Sequence, residues 1–498
     1  MAPPPRALQL FLGLWLLQAS AYFMPGATWN PVSRLALTHA LVDEGTLRID
    51  DFADATGDRA RVGDHWYSDK SPMVSFAAAP AYALVRGVHQ RFDRPPPTFT
   101  VLKTTPAIPA IRVEPNRTFA QLLYVCAVAV GGVPFALLGV LLVRFLARRF
   151  SLEAALVGTA VTLLGTPLYP YASSLYGHVL ATCALFLAVE LVDAEPHPSP
   201  ARWLAAGAAL GLAVTTEYLL ALPGAVLAGW VTLGHPARAR PTVRVLCLGL
   251  GAAGPVGLLA AYNTACFGAP WRTGYHFVVL DVFVEGHARG LMGVGAPTLE
   301  ALWGLWFSPS RGLAVVAPVT LLAVVGLAVA LRRRRTDRAL VALTLAFGVL
   351  FVANGGYYMW WGGAAAGPRH LLPGLPVLGA GIAATWELRR ARPLTAALAL
   401  TSITVMVLFA AVGTEAPEHA PVLSRYLWPA YATGRLAAHA GASNLGVRLG
   451  LPVAGSLGPL LAWLLVGGRG LLRLTRDVAP RVASPGAGPA LEATTMNP

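Results

Sequence analysis

Apolar segments separated by short polar ones fill most of the chain after residue 118, and one more lies near its start. A helix needs roughly 20 apolar residues to cross a bilayer core. The sequence therefore predicts an all-α polytopic membrane protein with about 12 transmembrane helices. The predicted spans are 7–25, 119–143, 152–168, 174–193, 203–216, 218–233, 243–261, 311–331, 339–356, 371–387, 394–412 and 452–468.

Arginine-rich gaps and tails set the predicted orientation. They occupy residues 1–6, 144–149, 235–244, 332–338, 389–392 and 469–476, and the gap 195–202 adds one more arginine. If the N-terminus is cytoplasmic, strict alternation puts all of them on the cytoplasmic side, as the positive-inside rule requires. The sequence thus predicts an even number of spans and cytoplasmic N- and C-termini.

The same alternation defines the outer segments. The longest is 26–118, and the others are 165–173, 262–310, 357–370 and 413–451. We expect residues 1–476 to form a single polytopic domain and residues 477–498, rich in Pro, Ala and Gly, to be a disordered tail. The first apolar segment resembles a cleavable secretory signal, with Ala19-Ser20-Ala21 inside it, but we favour an uncleaved first span.

Composition supports a membrane protein and argues against other classes. Apolar residues make up 55% of the 498 residues, charged residues 12%, and the 38 Lys+Arg against 24 Asp+Glu give a net charge of +14. Ordinary soluble domains carry about 25% charged residues, so a soluble enzyme or a disordered chain is excluded. The arginines form short separate clusters rather than one patch, which argues against nucleic-acid binding. The four cysteines lie singly and predict neither disulfides nor a zinc site.

The first outer loop contains more carboxylates than any other segment between predicted spans. Residues 35–44 have helical apolar spacing and predict an amphipathic helix along the membrane surface, and residues 73–85 predict a second helix there. Between them, residues 63–67 form a turn that leads into an aromatic pair. Asp69 and Lys70 then offer a base and a cation close to the lipid boundary, which a reaction on a lipid phosphate would need. The plainer interpretation is a loop whose acids keep it soluble.

Four further residues combine charge with a predicted membrane border. His178 is either a packing residue or a catalytic group, and Arg311 is a phosphate ligand or a residue that reaches to headgroups. Arg369 follows a Gly-rich turn at a helix start, which would suit a phosphate oxyanion. Glu217 lies between the two short spans and is a functional candidate or an ion-pair partner.

Several motifs resemble the GT-C membrane glycosyltransferases, in particular the bacterial relatives of dolichyl-phosphate-mannose–protein mannosyltransferases and the lipid A aminoarabinose transferases. In the first loop they are Trp29-Asn30-Pro31-Val32-Ser33-Arg34, Leu41-Val42-Asp43-Glu44-Gly45-Thr46-Leu47 and Gly63-Asp64-His65-Trp66-Tyr67-Ser68-Asp69-Lys70-Ser71-Pro72. Later motifs, which include Ser308-Pro309-Ser310-Arg311-Gly312 and Trp360-Trp361-Gly362-Gly363, extend the resemblance over most of the chain.

The resemblance implies an inverting hexosyl or pentosyl transferase in a bacterial inner membrane. It would move a sugar from a polyprenyl-phosphate carrier to a saccharide, lipid or protein acceptor at the outer face. Asp69, or the pair Asp43 and Glu44, would be the catalytic base. The substrate-binding candidates are Lys70, Tyr67, His178, Arg311 and Arg369. No cofactor is certain; a divalent metal would help, but no sequence feature identifies its ligands.

One position departs from the family pattern. The family has an aspartate base four residues before the arginine of the first loop, and this chain has Asn30 four residues before Arg34. An amide cannot accept that proton. Two other functions therefore stay open: a transporter or flippase of lipid-linked sugars, which would place its charges inside the spans, and a non-catalytic membrane scaffold.

Overall fold

The structure, a computed structural model, describes residues 4–102, 112–237, 239–434 and 442–478. Within them it is predominantly helical. The α-helices are Arg6–Ala21 (α1), Trp29–His39 (α2), Met73–Arg91 (α3), Arg117–Ala127 (α4), Val133–Ala147 (α5), Leu152–Leu164 (α6), Leu168–Ala172 (α7), His178–Asp193 (α8), Pro200–Thr216 (α9), Ala221–Gly229 (α10), Pro241–Phe267 (α11), Asp281–His287 (α12), Leu299–Phe307 (α13), Leu313–Val316 (α14), Val319–Arg333 (α15), Arg338–Gly355 (α16), Leu378–Glu387 (α17), Arg392–Val412 (α18), Trp428–Ala432 (α19), Leu445–Arg448 (α20) and Gly458–Val478 (α21).

Short 3-10 and π-helical turns extend or join several of these helices. The 3-10 helices are Asp50–Ala55, Tyr218–Leu220, Gly274–His276, Arg369–Val377 and Val453–Gly455, and the π-helical turns are Ala40–Glu44, Val128–Gly132, Trp230–Gly234 and Leu423–Leu427.

The described strands form three small antiparallel pairs. They are Phe23–Met24 (β1), Arg59–Val62 (β2), His65–Ser68 (β3), Phe99–Leu102 (β4), Arg112–Pro115 (β5) and Ser443–Asn444 (β6). β1 pairs with β6, β2 with β3, and β4 with β5. The first of these pairs joins the end of α1 to a segment near the end of the chain.

Five helical segments of the described chain are long and apolar enough to cross a membrane: Arg117–Ala147, Pro241–Phe267, Arg338–Gly355, Arg392–Val412 and Val453–Thr475. They coincide with five of the predicted spans, and the chain is therefore a multi-pass membrane protein. The other predicted spans also contain helices, but these are shorter than 18 residues. The total of about 12 spans thus stays a prediction.

The predicted span 311–331 begins at the wrong place. The helix is interrupted there between α14 and α15, and α15 starts only at Val319, directly after Pro318. Proline has no N–H to donate and is tolerated at a helix start. Arg311 consequently lies in a turn before the helix rather than at its first residue.

The first loop has a hydrophobic core of its own, separate from that of the helical bundle. Val32, Phe52, Val74, Tyr82 and Phe119 are among its buried members. The predicted helix at 35–44 exists as α2 and the π-turn after it, but residues 30–38 are all buried. It is therefore not an amphipathic helix exposed on a membrane surface, and that expectation is wrong. α3 does fit such a position, because its apolar Leu84 and Val88 are exposed.

Ion pairs join the arginine-rich segments to one another at one end of the bundle. Arg149 contacts Asp193 at 2.9 Å and Asp337 at 2.6 Å, and Arg148 contacts Glu190 at 2.5 Å. Two gaps that the sequence assigns to one side, 144–149 and 332–338, thus meet there with the end of the predicted span 174–193. Charged hydrogen bonds of this kind are about twice as strong as neutral ones.

Glycines let several pairs of helices approach one another closely. A Cβ on Gly381 of α17 would collide with the backbone carbonyl of Ala323 in α15, and one on Gly207 of α9 would collide with Leu248 in α11. Close backbone approach through small residues is a typical way for membrane helices to associate.

Residues 477–478 continue α21, whereas 479–498 of the predicted tail lie outside the described residues.

The α15–α17 contact yields a stability prediction. Gly381→Ala should destabilise the protein by roughly 1–3 kcal/mol, because the added methyl overlaps a backbone atom that cannot rotate away. Gly249→Ala in α11 is the matched control, since a Cβ there meets nothing within 4 Å. The measurement is the midpoint of thermal unfolding in detergent. Equal midpoints for the two variants would contradict close packing at this contact.

Candidate functional site

A β-hairpin positions the predicted acid–lysine pair. β2 and β3 are joined by the two residues Gly63 and Asp64, and Gly63 has φ +60°. Glycine favours this left-handed conformation, which tight hairpins require. The predicted turn is confirmed. Asp69 and Lys70 follow β3 directly and precede α3, so the hairpin and the helix fix them from both sides.

Lys70 lies between two carboxylates. Its Nζ is 3.0 Å from Oδ2 of Asp69 and 3.3 Å from Oδ1 of Asp58. The three side chains are buried, with exposed fractions of 14% for Lys70, 1% for Asp69 and 10% for Asp58. Burial lowers the pKa of the Lys70 amine, but the two carboxylates raise it more, and the net shift is upward. Lys70 is therefore a permanent buried cation.

Asp69 has one oxygen on Lys70 and one that lacks a partner. Oδ1 is buried and makes no hydrogen bond to the described residues. Burial raises the pKa of Asp69 to about 6, against the opposing effect of Lys70. Gly274 packs on its backbone, where a Cβ would come within 2.6 Å of the Asp69 Cα. The close approach of this outer loop therefore needs glycine at 274.

Aromatic residues of the outer segment 262–310 cover Lys70. Its Nζ is 5.9 Å from the ring centroids of both Tyr275 and Phe283. Tyr275 in turn stacks on His287, with 4.2 Å between the centroids. A cation over aromatic faces at this distance is attracted to them. The ammonium thus has anionic and aromatic neighbours but few water contacts.

Asn30 and Arg34 lie on α2 and form a hydrogen bond. Arg34 Nε donates to Asn30 Oδ1 at 2.8 Å, and Arg34 Nη1 donates to the carbonyl of Ser71 at 3.3 Å. The buried Arg34 charge acts on Asp69 and on Glu217. The amide at position 30 thus holds an arginine and has no proton-accepting role.

The glycine-rich turn before Arg369 exists as predicted. Gly362, Gly363 and Gly367 have φ values of +80°, +68° and +73°, and a 3-10 helix starts at Arg369. Its guanidinium carbon lies 5.7 Å from the centroid of the Tyr176 ring, and its Nε has no hydrogen-bond partner among the described residues. Arg369 therefore retains an unused donor. Its charge acts on Lys70 and on Glu415.

His178 is the first residue of α8 and is buried against other rings. Its Nδ1 is 3.2 Å from Oε1 of Glu217, and its ring centroid is 5.8 Å from that of His370. One ligand atom from each of these three residues lies within 4.8 Å of those of the other two, which is close enough for a shared metal ion. The sequence suggested His178 and Glu217 separately, but not as neighbours.

Two other substrate-binding candidates have structural partners. Arg311 is fully buried and donates to the backbone carbonyls of Ala365 and Ala416. It therefore supports the turn before Arg369 and does not face an open pocket. Tyr67 packs edge-on against Phe267, with 5.9 Å between the centroids, beside the core of the first loop.

The other predicted base candidates form a separate group. Asp43 accepts hydrogen bonds from Tyr82 at 2.7 Å and from Arg86 at 3.1 Å, and Glu44 lies 3.0 Å from His39. This group lies between the π-turn 40–44 and α3. Neither Asp43 nor Glu44 forms an ion pair with Lys70. Residues 45–68 of the chain lie between the two groups.

Sequence reasoning missed Glu415, which follows the outer end of α18. Burial raises the pKa of Glu415 to about 7, against hydroxyl hydrogen bonds from Thr28 and Tyr176 that lower it. The Tyr176 hydroxyl donates to Oε1 at 3.1 Å. Glu415 lines a small cavity together with Thr28 and Ser173, and the charges of Asp58 and Arg369 act on it. An acid just beyond the end of a span was the available signal.

No protein-family model and no curated protein matches the sequence. Among solved structures, ArnT from Cupriavidus metallidurans bound to undecaprenyl phosphate is similar, with a TM-score of 0.52 and 15% identity over 94% of this chain and 72% of that one. ArnT in the apo state gives a TM-score of 0.49 and 14% identity over 94% and 75%. The first likeness shows that the chain has the fold of this ArnT, and the resemblance seen in the sequence is confirmed at the level of the fold.

The carboxylates around Lys70 yield a titration prediction. The sequence contains two lysines, Lys70 and Lys103, so ¹³C-methylation of a Lys103→Arg variant leaves Lys70 as its one labelled lysine. NMR should show that the pKa of the Lys70 amine lies above its ordinary value of 10.5. Asp58→Asn should lower this pKa, because one of the two stabilising charges is removed. An unchanged pKa in Asp58→Asn would contradict the arrangement.

Proposed function

We propose that this chain is a glycosyltransferase of a bacterial inner membrane that takes a sugar from a polyprenyl-phosphate carrier. The observation that carries the proposal is the buried Lys70 between Asp58 and Asp69, on which the charge of Arg369 acts, in a chain with the fold of ArnT. That ArnT structure is bound to undecaprenyl phosphate. Buried cations beside membrane helices are suited to a lipid-linked phosphate.

The proposed reaction is a single in-line displacement with inversion. The acceptor hydroxyl oxygen attacks the anomeric carbon of the sugar, and the bond from that carbon to the phosphate oxygen breaks. The electron pair leaves with the polyprenyl phosphate, whose charge Lys70 and Arg369 stabilise. The hydroxyl proton passes to a carboxylate base. Each step uses groups of this chain and its two substrates, and the acceptor is a saccharide, lipid or protein hydroxyl.

We assign the base to Glu415 rather than to Asp69. Asp69 has one oxygen on Lys70 and is 1% exposed, which suits a role in holding the lysine. Glu415 lines a cavity, accepts a hydrogen bond from Tyr176, and has a pKa of about 7. A general base works best when its pKa lies near the operating pH. Glu415 would thus replace the aspartate that the family has where this chain has Asn30.

Removal of Lys70 tests the function directly. Lys70→Ala should lower transfer from radiolabelled polyprenyl-phosphate sugars by at least ~10²-fold, because a charge that stabilises the leaving phosphate is lost. Lys103→Ala is the matched control and should keep wild-type transfer. Equal transfer by both variants would remove Lys70 from the mechanism. Folded wild-type protein that turns over no carrier would contradict the transferase and favour a flippase or a scaffold.

The base assignment predicts a pH profile. The carboxylate must be deprotonated to accept a proton, so kcat/KM should rise with pH and level off above an inflection at about 7. Glu415→Gln should lose ~10²–10⁴-fold in rate together with this inflection. The control is Glu418→Gln in the same loop, where Glu418 accepts from Trp361. An inflection at about 6 that disappears in Asp69→Asn would move the base to Asp69.

A further inference from the structure

Three groups that commonly bind metals come together from three distant parts of the chain. His178 begins α8, Glu217 joins α9 to the following 3-10 turn, and His370 is the second residue of the 3-10 helix at 369–377. One donor atom from each lies within 4.8 Å of the other two. The site is formed at the ends of three separate helical segments, and each of those segments is packed in the bundle. This gives the three donors fixed positions.

The Glu217 carboxylate is incompletely satisfied. Its Oε1 is buried and makes no hydrogen bond with acceptable geometry to the described residues, although His178 Nδ1 lies 3.2 Å away. Gly177 leaves the space for it, because a Cβ there would lie 2.5 Å from Oε1. A buried carboxylate oxygen whose one neighbour is poorly aligned is costly in free energy. A cation bound between this oxygen and the two imidazoles would remove that cost.

Two imidazoles and one carboxylate are a ligand set that suits zinc. Zn²⁺ binds histidine nitrogen at about 2.0–2.1 Å, and sites with three protein ligands keep a fourth position open. On a tetrahedral ion, donor atoms at that distance are roughly 3.4 Å apart. The His178–Glu217 contact already has nearly this length. Rotation of the histidine rings would bring the remaining donors, now within 4.8 Å, to the same separation.

The charged groups that act on the three donors are cations apart from Glu217 itself: Arg34 acts on Glu217, and Arg369 and Lys70 act on His370. A dication bound there would need an anion beside it, which a bound phosphate would supply. Metal and anion binding should therefore strengthen each other.

We propose that His178, Glu217 and His370 bind one divalent transition metal of the zinc class, with an open coordination position beside the Lys70 pocket. The sequence alone did not identify these ligands, because each lies far from the other two along the chain. The proposal goes beyond the transfer reaction and does not depend on it. A metal here would add a Lewis acid to a site on which the charges of Lys70 and Arg369 already act.

The test measures metal content, not activity. Full-length protein is purified in detergent, stripped with a chelator, loaded with Zn²⁺, freed of excess and analysed for zinc by mass spectrometry. Wild type should retain one zinc per chain, and Glu217→Gln and His370→Ala should each lose it at the same free Zn²⁺. The control is His89→Ala, which removes a buried histidine of α3 that lies outside the three-residue group and should retain the zinc.

A second measurement needs no variant. Stripped wild-type protein is titrated with Co²⁺, and an intense visible ligand-field absorption that saturates at one equivalent is expected for a four-coordinate site. Inorganic phosphate should lower the Co²⁺ concentration at half saturation. Folded wild type that retains no zinc and shows no such absorption would overturn the proposal, as would variants that all retain one zinc. Neither outcome affects the Lys70→Ala transfer experiment, so the two proposals fail separately.

Discussion

The buried ammonium of Lys70 is the constraint around which the site and the hairpin beside it are organised. An unpaired charge would cost several kcal/mol in the interior, and here two carboxylates compensate it at 3.0 and 3.3 Å. To supply them, the chain must bring Asp58 from the segment before β2 and Asp69 from the end of β3. The hairpin between them therefore brings both carboxylates into contact with Lys70. The rings of Tyr275 and Phe283 then complete the enclosure.

Contacts within the helical bundle fix the helices relative to one another. Ion pairs among Arg148, Arg149, Asp193 and Asp337 join the ends of several helices, and glycines at the α15–α17 contact fix their spacing. The buried Arg311 donates to two backbone carbonyls, one of them in the turn before Arg369. It thereby supports that turn, and its Nε keeps a donor without a hydrogen-bond partner among the described residues.

The candidate bases divide into two groups with different surroundings. Asp43 is surrounded by Tyr82, Arg86 and His39, which satisfy it completely. Asp69 and Glu415 keep less complete partnerships and have raised pKa values because burial penalises their charge. Groups with such perturbed pKa values concentrate at functional sites. The completeness of their hydrogen bonding and the shift of their pKa values distinguish the structural acids from the candidate catalytic bases.

The sequence by itself determined many of the helical elements, among them the closely spaced helices on either side of Glu217, and also the hairpin turn at Gly63 and the adjacency of Asp69 to Lys70. These are local properties: apolar periodicity, glycine conformations and neighbouring positions can all be read from a short stretch of chain. Even so, the break at Pro318 displaced one predicted span, and the burial of α2 could not be foreseen, since its apolar spacing does not reveal what will cover its other face.

Only the tertiary structure decided which distant residues meet. Tyr176 and Glu415 are 239 residues apart in the chain and share a hydrogen bond, and His178, Glu217 and His370 converge from three helical segments. No periodicity encodes such encounters, because they depend on how the helices pack and where each one ends. The same holds for acidity: the pKa of Glu415 is raised by its burial, and burial is a property of the assembled fold.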